Sequence, residues 1–326
     1  MFSNRLTIRY IVILLAGIFA FSSNLSASHN MGGEITWRCL SGGQFVFQMK
    51  LYRDCNGMSI NNTLDLCVDN HPVIGKIPVT LIAQNDISPV CNAIGPQISC
   101  ASAQAQPGWP ISANPVIGAV EEFIFESAPI FLNGIPPAQG WVFSYTTCCR
   151  NPSITNLNNP AALGFTLRAK MFAYNNQNMN PCYDNSPEFL ESPKTIICTG
   201  YPFTYNHNAV DKELDSLAYS WAEPLDDTVA GNPAWNPPVS PQGIAYVASF
   251  SANSPMPGQT LDPNNVPAVI DPITGEISYT SFTQGNFVTC IKVEAWKCGQ
   301  LVAEVYREIQ VVLLPCGTNN PPAVLP

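Results

Sequence analysis

The chain has 326 residues, enough for two or three domains each with its own core. Only 11% of them are charged, well under the roughly 25% of ordinary soluble domains, while proline and glycine are abundant, a composition usual in β-rich, turn-rich chains. A net charge of −9 argues against nucleic acid as a partner and makes cations the better guess.

The first residues predict export. Arg5 and Arg9 precede an unbroken apolar run, 11–21, and Ser26-Ala27-Ser28 supplies the small residues that a signal peptidase cleaves after. The run is shorter than the roughly 20 apolar residues that span a bilayer. Residues 1–28 therefore read as a secretory signal peptide, and the protein is expected outside the cell or on its surface, with no membrane span after processing. Twelve cysteines agree with an oxidising compartment: Cys39, Cys55, Cys67, Cys91, Cys100, Cys148, Cys149, Cys182, Cys198, Cys290, Cys298 and Cys316. None lies in a CxxC pair or near a histidine at metal-ligand spacing, so disulfides are expected for all of them.

Residues 29–175 predict a Cys-rich sandwich domain, with short strands at 34–38, 44–52, 79–83, 122–126, 141–147 and 164–174 between Gly, Pro and Asn clusters. The stretch 44–52 alternates apolar with polar residues, which puts one face on a core. Residues 176–195 are polar, Pro-containing and aperiodic, and read as a linker. Residues 196–315 predict a second sandwich, with strands at 203–205, 217–221, 243–250, 276–280, 285–296 and 301–314. The last two form a hairpin about Lys297-Cys298-Gly299-Gln300. Within it Phe287, Ile291, Val293 and Ala295 face one way and Cys290, Lys292 and Glu294 the other. Cys290 should thus find a partner on a neighbouring strand or linker, Cys198 being favoured. It should not pair with Cys298, about 25 Å along a straight strand. Adjacent Cys148 and Cys149 should each pin a different segment. The Pro-rich residues 316–326 read as a tail or the start of a further linker. The fold class is all-β, two tandem Ig-like sandwiches.

Asp211, Glu213 and Asp215 alternate, so their carboxylates share a side if extended and converge if looped. With Asp184 and Asn185 from the linker, and Asp271, they form a candidate Ca²⁺ site, because a hard cation needs six to eight oxygens from more than one segment. A solvated acidic turn that caps strands is the alternative. Trp109 and Trp235, among prolines, could stack on sugars. His29, His71 and His207 match no nucleophile or metal-hydrolase pattern, so the chain is not expected to be an enzyme.

Three segments carry a resemblance. Asp184-Asn185-Ser186-Pro187-Glu188-Phe189 is similar to the DNxPxF linker that precedes cadherin-like extracellular repeats; the segment 209–220 resembles A-x-D-x-D-G-D-S-L-x-Y-S, and 271–277 resembles D-x-x-T-G-x-I. Glu213 and Leu214 depart from it, standing where Asp and Gly are usual. In such repeats a glutamate placed like Glu34 bridges to the cation site. Over its length the chain also resembles the amino-terminal region of large surface proteins of gliding and related Bacteroidetes. That resemblance rests on 31–35 (MGGEI), 51–55 (LYRDC) and 148–151 (CCRN). It implies type IX secretion and a non-catalytic adhesion or structural module, with other surface proteins or glycans as partners. The rival reading is a carbohydrate-binding module of a larger secreted protein.

Overall fold

The computed structural model describes residues 30–55, 57, 60–88, 119–177, 184–226 and 242–315. The signal segment 1–28, His29, Trp109, Trp235, Cys91, Cys100, Cys182, Cys316 and the tail 316–326 lie outside them. The protein is all-β as expected, its one helical element among the described residues being a single turn at Pro160–Ala162. Among the described residues no helix is long and apolar enough to cross a membrane.

The strands before the linker are β1 (Asn30–Cys39), β2 (Phe45–Asp54), β3 (Thr63–Asp69), β4 (Lys76–Asp86), β5 (Val120–Ser127), β6 (Trp141–Cys148) and β7 (Gly164–Met171). After it come β8 (Glu188–Phe189), β9 (Ile196–Cys198), β10 (Pro202–Asn206), β11 (Ala209–Val210), β12 (Ser216–Trp221), β13 (Val266–Ile270), β14 (Glu276–Thr280), β15 (Gly285–Lys297) and β16 (Gln300–Leu314).

The alternation in β2 does what its pattern requires: Phe45, Phe47, Met49 and Leu51 are buried while Gln48 and Lys50 are partly exposed. Phe47 packs against Phe143 with ring centroids 4.4 Å apart, and Trp37 lies 6.0 Å from the same ring. Each of these rings, fully buried, contributes roughly 1.5–3 kcal/mol of hydrophobic stabilisation.

The first seven strands run in the order β1-β2-β5-β4-β3-β6-β7, and both ends of this rolled sheet come to β16. One edge of β16 pairs along its length with β15. The other edge is shared: Ala303–Val305 pairs with β7, Arg307–Ile309 with β1, and Val312–Leu314 with β9 in parallel. The last strand of the second half therefore completes the sheet of the first, and the sheet is continuous across the 176–195 seam. Gly32 and Gly33 make the crossing possible. A Cβ on Gly32 would overlap the Glu308 carbonyl oxygen, and one on Gly33 would overlap that of Lys50. Gly32 also takes φ +146, which side chains rarely tolerate.

In the second half the small sheet β10-β14-β13 covers one face of β12, β15 and β16, enclosing Tyr219, Ile277, Phe287, Ile291, Val293 and Val311. The expected strand at 243–250 is not one. Gly243 and Tyr246 make only isolated bridges, and the segment lies as a loop in which Ile244 packs on Val288 from the outer face of β15. Cys290 shares that outer face and is buried with Ala222 and Tyr306. Polar alternation marked it as outward, but that side of the sheet is covered too.

Candidate functional site

The linker does not hang free where it meets the second half. Trp37 N–H on β1 donates to Ser186 Oγ at 2.8 Å, Ser186 N–H returns a bond to Trp37 O at 3.0 Å, and Cys39 N–H donates to Asn185 Oδ1 at 2.7 Å. These bonds hold Asp184 and Asn185 against the end of β1. The loop 211–215, between β11 and β12, reaches the same place. Asp211 Oδ1 accepts the N–H groups of Glu213 (3.0 Å) and Asp215 (2.9 Å), the local side-chain-to-backbone bonding that favours Asp in turns. Glu213 in turn accepts both the backbone N–H (3.1 Å) and the side-chain amide of Asn185.

Carboxylate oxygens of Asp184, Asp211 and Glu213 all lie within 4.8 Å of one another. Asp184 and Asp211 are buried, at 6% and 8% exposure, and Asp215 is partly so. Asp211 Oδ2 is a buried oxygen that accepts no hydrogen bond, whereas Asp215 Oδ2, also buried, lies against the Lys297 ammonium. Lys297, at the end of β15, supplies the nearest positive charge. Its Nζ donates to Asp215 Oδ1 at 2.9 Å, and lies 2.7 Å from Asp215 Oδ2 and 3.6 Å from Asp184 Oδ1. No described cation comes within ion-pair distance of Asp211. Burial, reinforced by a hydrogen bond shared with Asp215, pushes the Asp184 carboxyl up to about 9 against the pull of Lys297. Burial also raises Asp211. Four acids thus face one ammonium. An unpaired buried carboxylate oxygen is what a hard cation would take up, so Asp184, Asp211 and Glu213 are the residues that could hold a metal ion here.

Asp271 is a correction. It lies on the exposed β13–β14 turn, where its Oδ1 accepts the N–H groups of Ile273 and Thr274, both at 2.8 Å. Those two bonds hold its carboxyl below the usual range, and it is not one of the clustered acids. Asn185 is at the site, but its Oδ1 already serves Cys39. Glu34 is another correction: it is buried away from the cluster against Arg307, with Arg307 Nε 2.6 Å from Oε2 and Nη2 2.7 Å from Oε1. His207 is a core residue at 4% exposure. Its Nδ1 lies 3.3 Å from Arg307 Nη1 and its ring meets Tyr205 edge-on at 4.7 Å.

Lys297 and Arg307 were not legible as partners, because each comes from a strand roughly 80 residues or more from the acid it meets. The cysteines need correcting as well. Cys148 and Cys149 are bonded to each other and do not pin separate segments. Cys290 and Cys298 are thiols, so not every cysteine pairs, and Cys198 is disulfide-bonded elsewhere. Cys39 and Cys55 are disulfide-bonded as expected.

No protein-family model matches the chain, and neither a curated protein nor a solved structure matches it.

Proposed function

We propose that this chain is a non-catalytic module of the cell surface, adhesive or structural, whose two halves are stiffened at their meeting point by calcium. The reading takes residues 1–28 as the export signal. It takes the resemblance to amino-terminal regions of Bacteroidetes surface proteins, with a cadherin-like second half, as the family context. One observation carries the cation part: carboxylate oxygens of Asp184, Asp211 and Glu213 lie within 4.8 Å of one another where residues 184–186 dock on β1, and the buried Asp211 Oδ2 accepts no hydrogen bond. Uncompensated acids in that position repel one another and leave the junction looser. A cation shared among Asp184, Asp211, Glu213 and Asp215 ties the linker to the loop before β12, and through Trp37 and Cys39 to the first half. Rigid spacing of successive modules is what a surface protein gains from such a tie.

The test is thermal unfolding of the exported chain in millimolar calcium and in chelator, beside Asp211→Asn with Asp215→Asn. Calcium is expected to raise the wild-type Tm and to protect the linker from protease, with neither effect in the double variant. Equal melting of both proteins in both buffers would reduce the cluster to a solvated acidic turn.

A further inference from the structure

Lys297 is the feature of this site that nothing in the acidic spacing foretold. Its side chain is 13% exposed, and its ammonium lies 3.6 Å from Asp184 Oδ1 and 2.7 Å from Asp215 Oδ2, both buried oxygens. We propose that Lys297 is a tethered competitor of the divalent cation, filling the acidic cluster in its absence and leaving the cluster when the ion enters. This rests on the cation reading above.

The geometry supports a contest, not a shared site. An ion liganded by Asp184 Oδ1 and Asp215 Oδ2 would stand within a few ångströms of Nζ. Repulsion between a divalent ion and an ammonium at that range outweighs the hydrogen bond Lys297 makes with Asp215. The lysine has somewhere to go. It ends β15 beside the Cys298-Gly299 turn, where Cys298 and Gly299 are exposed, and its four-carbon stem can carry the charge out to water. Leu214 N–H and the Asp211 turn hold the loop acids whichever cation is present. Expelling a resident charge weakens apparent affinity, so the site answers to the 10⁻⁴–10⁻³ M calcium typical of extracellular modules.

Two measurements on the full chain test this. In calorimetric calcium titrations, Lys297→Met is expected to bind at least about tenfold more tightly than wild type. It should also melt lower than wild type in chelator, whereas Lys297→Arg should behave as wild type. On the unmutated protein, which no folding defect can confuse, acylation of Lys297 by an amine-reactive ester should rise when calcium is added, read by peptide mass spectrometry. If calcium binds wild type and Lys297→Met alike and leaves Lys297 labelling unchanged, the competitor role is overturned while the cation reading stands. If calcium binds neither protein, both fall together.

Discussion

Glu34 and Asp184 are both buried carboxylates where the two halves meet, at 1% and 6% exposure, yet their surroundings differ. Arg307 meets both oxygens of Glu34 in a fork, Tyr52 Oη donates to Oε2 at 2.8 Å, and Lys50 stands 3.7 Å off at the rim. Burial alone would raise Glu34, but Arg307, helped by Lys50 and Tyr52, more than offsets it and holds the carboxyl below its usual range. Asp184 has only a shared lysine and like-charged neighbours, and burial wins. A planar, permanently charged guanidinium anchored on β16 completes an acid's bonding. A single ammonium spread over Asp184 and Asp215 does not. The first arrangement is finished in itself, while the second leaves Asp211 Oδ2 buried without a hydrogen bond.

Removing the finished one should have the largest effect. Arg307→Met strands Glu34 in the core and is expected to cost about 3–5 kcal/mol. Pairing it with Glu34→Gln should recover a good part of that loss, and urea midpoints of the two variants read both effects. At the unfinished site, calcium at a hundredfold excess over Kd should add about 2.7 kcal/mol to the wild type and nothing to Asp211→Asn with Asp215→Asn. Were Arg307→Met to cost no more than calcium adds, the contrast between the two sites would fail.

A smaller effect comes through pH. Burial, with the Arg307 charge beside it, holds His207 well below its ordinary value of 6.5. A depressed histidine stays neutral in the fold while the unfolded chain takes up the proton. Its contribution is therefore full above pH 6.5 and is lost as pH falls below it. Urea midpoints between neutral pH and about pH 5 should fall less steeply for His207→Gln, which keeps an acceptor for Arg307. The smallest effect concerns the acidic loop. Leu214 takes φ +62 with its side chain 90% exposed, at the position where the resembling repeats carry glycine. Leu214→Gly should relieve that left-handed strain and raise stability by about 0.5–1 kcal/mol, seen as a higher Tm in chelator.

Local pattern carried much of this into view. The alternation at 44–52 and the 285–314 hairpin became β2 and the β15–β16 pair, because period-2 burial is written in neighbouring residues. β13 was missed because Pro267 and its exposed valines suit an unpaired edge, and such edges lack the alternating signature. Asp184, Asp211 and Glu213 were legible from spacing. Lys297 and Arg307 were not, since the register that brings β15 and β16 to these acids is set by pairing over more than a hundred residues of chain. Cys290 misled for a related reason: its side of β15 alternates correctly but is covered, Cys290 by Ala222 and Tyr306 and Val288 by Ile244.

That β16 closes the first roll has a consequence for how the chain comes into being. About 130 residues separate the end of β7 from the start of β16. β1 and β7 cannot be joined until the chain through β16 has emerged. During that interval each offers a row of unpaired backbone groups. The Arg307–Glu34 bond can form only once β16 is in place, so it fastens the first half with a residue made long after that half's own hairpins.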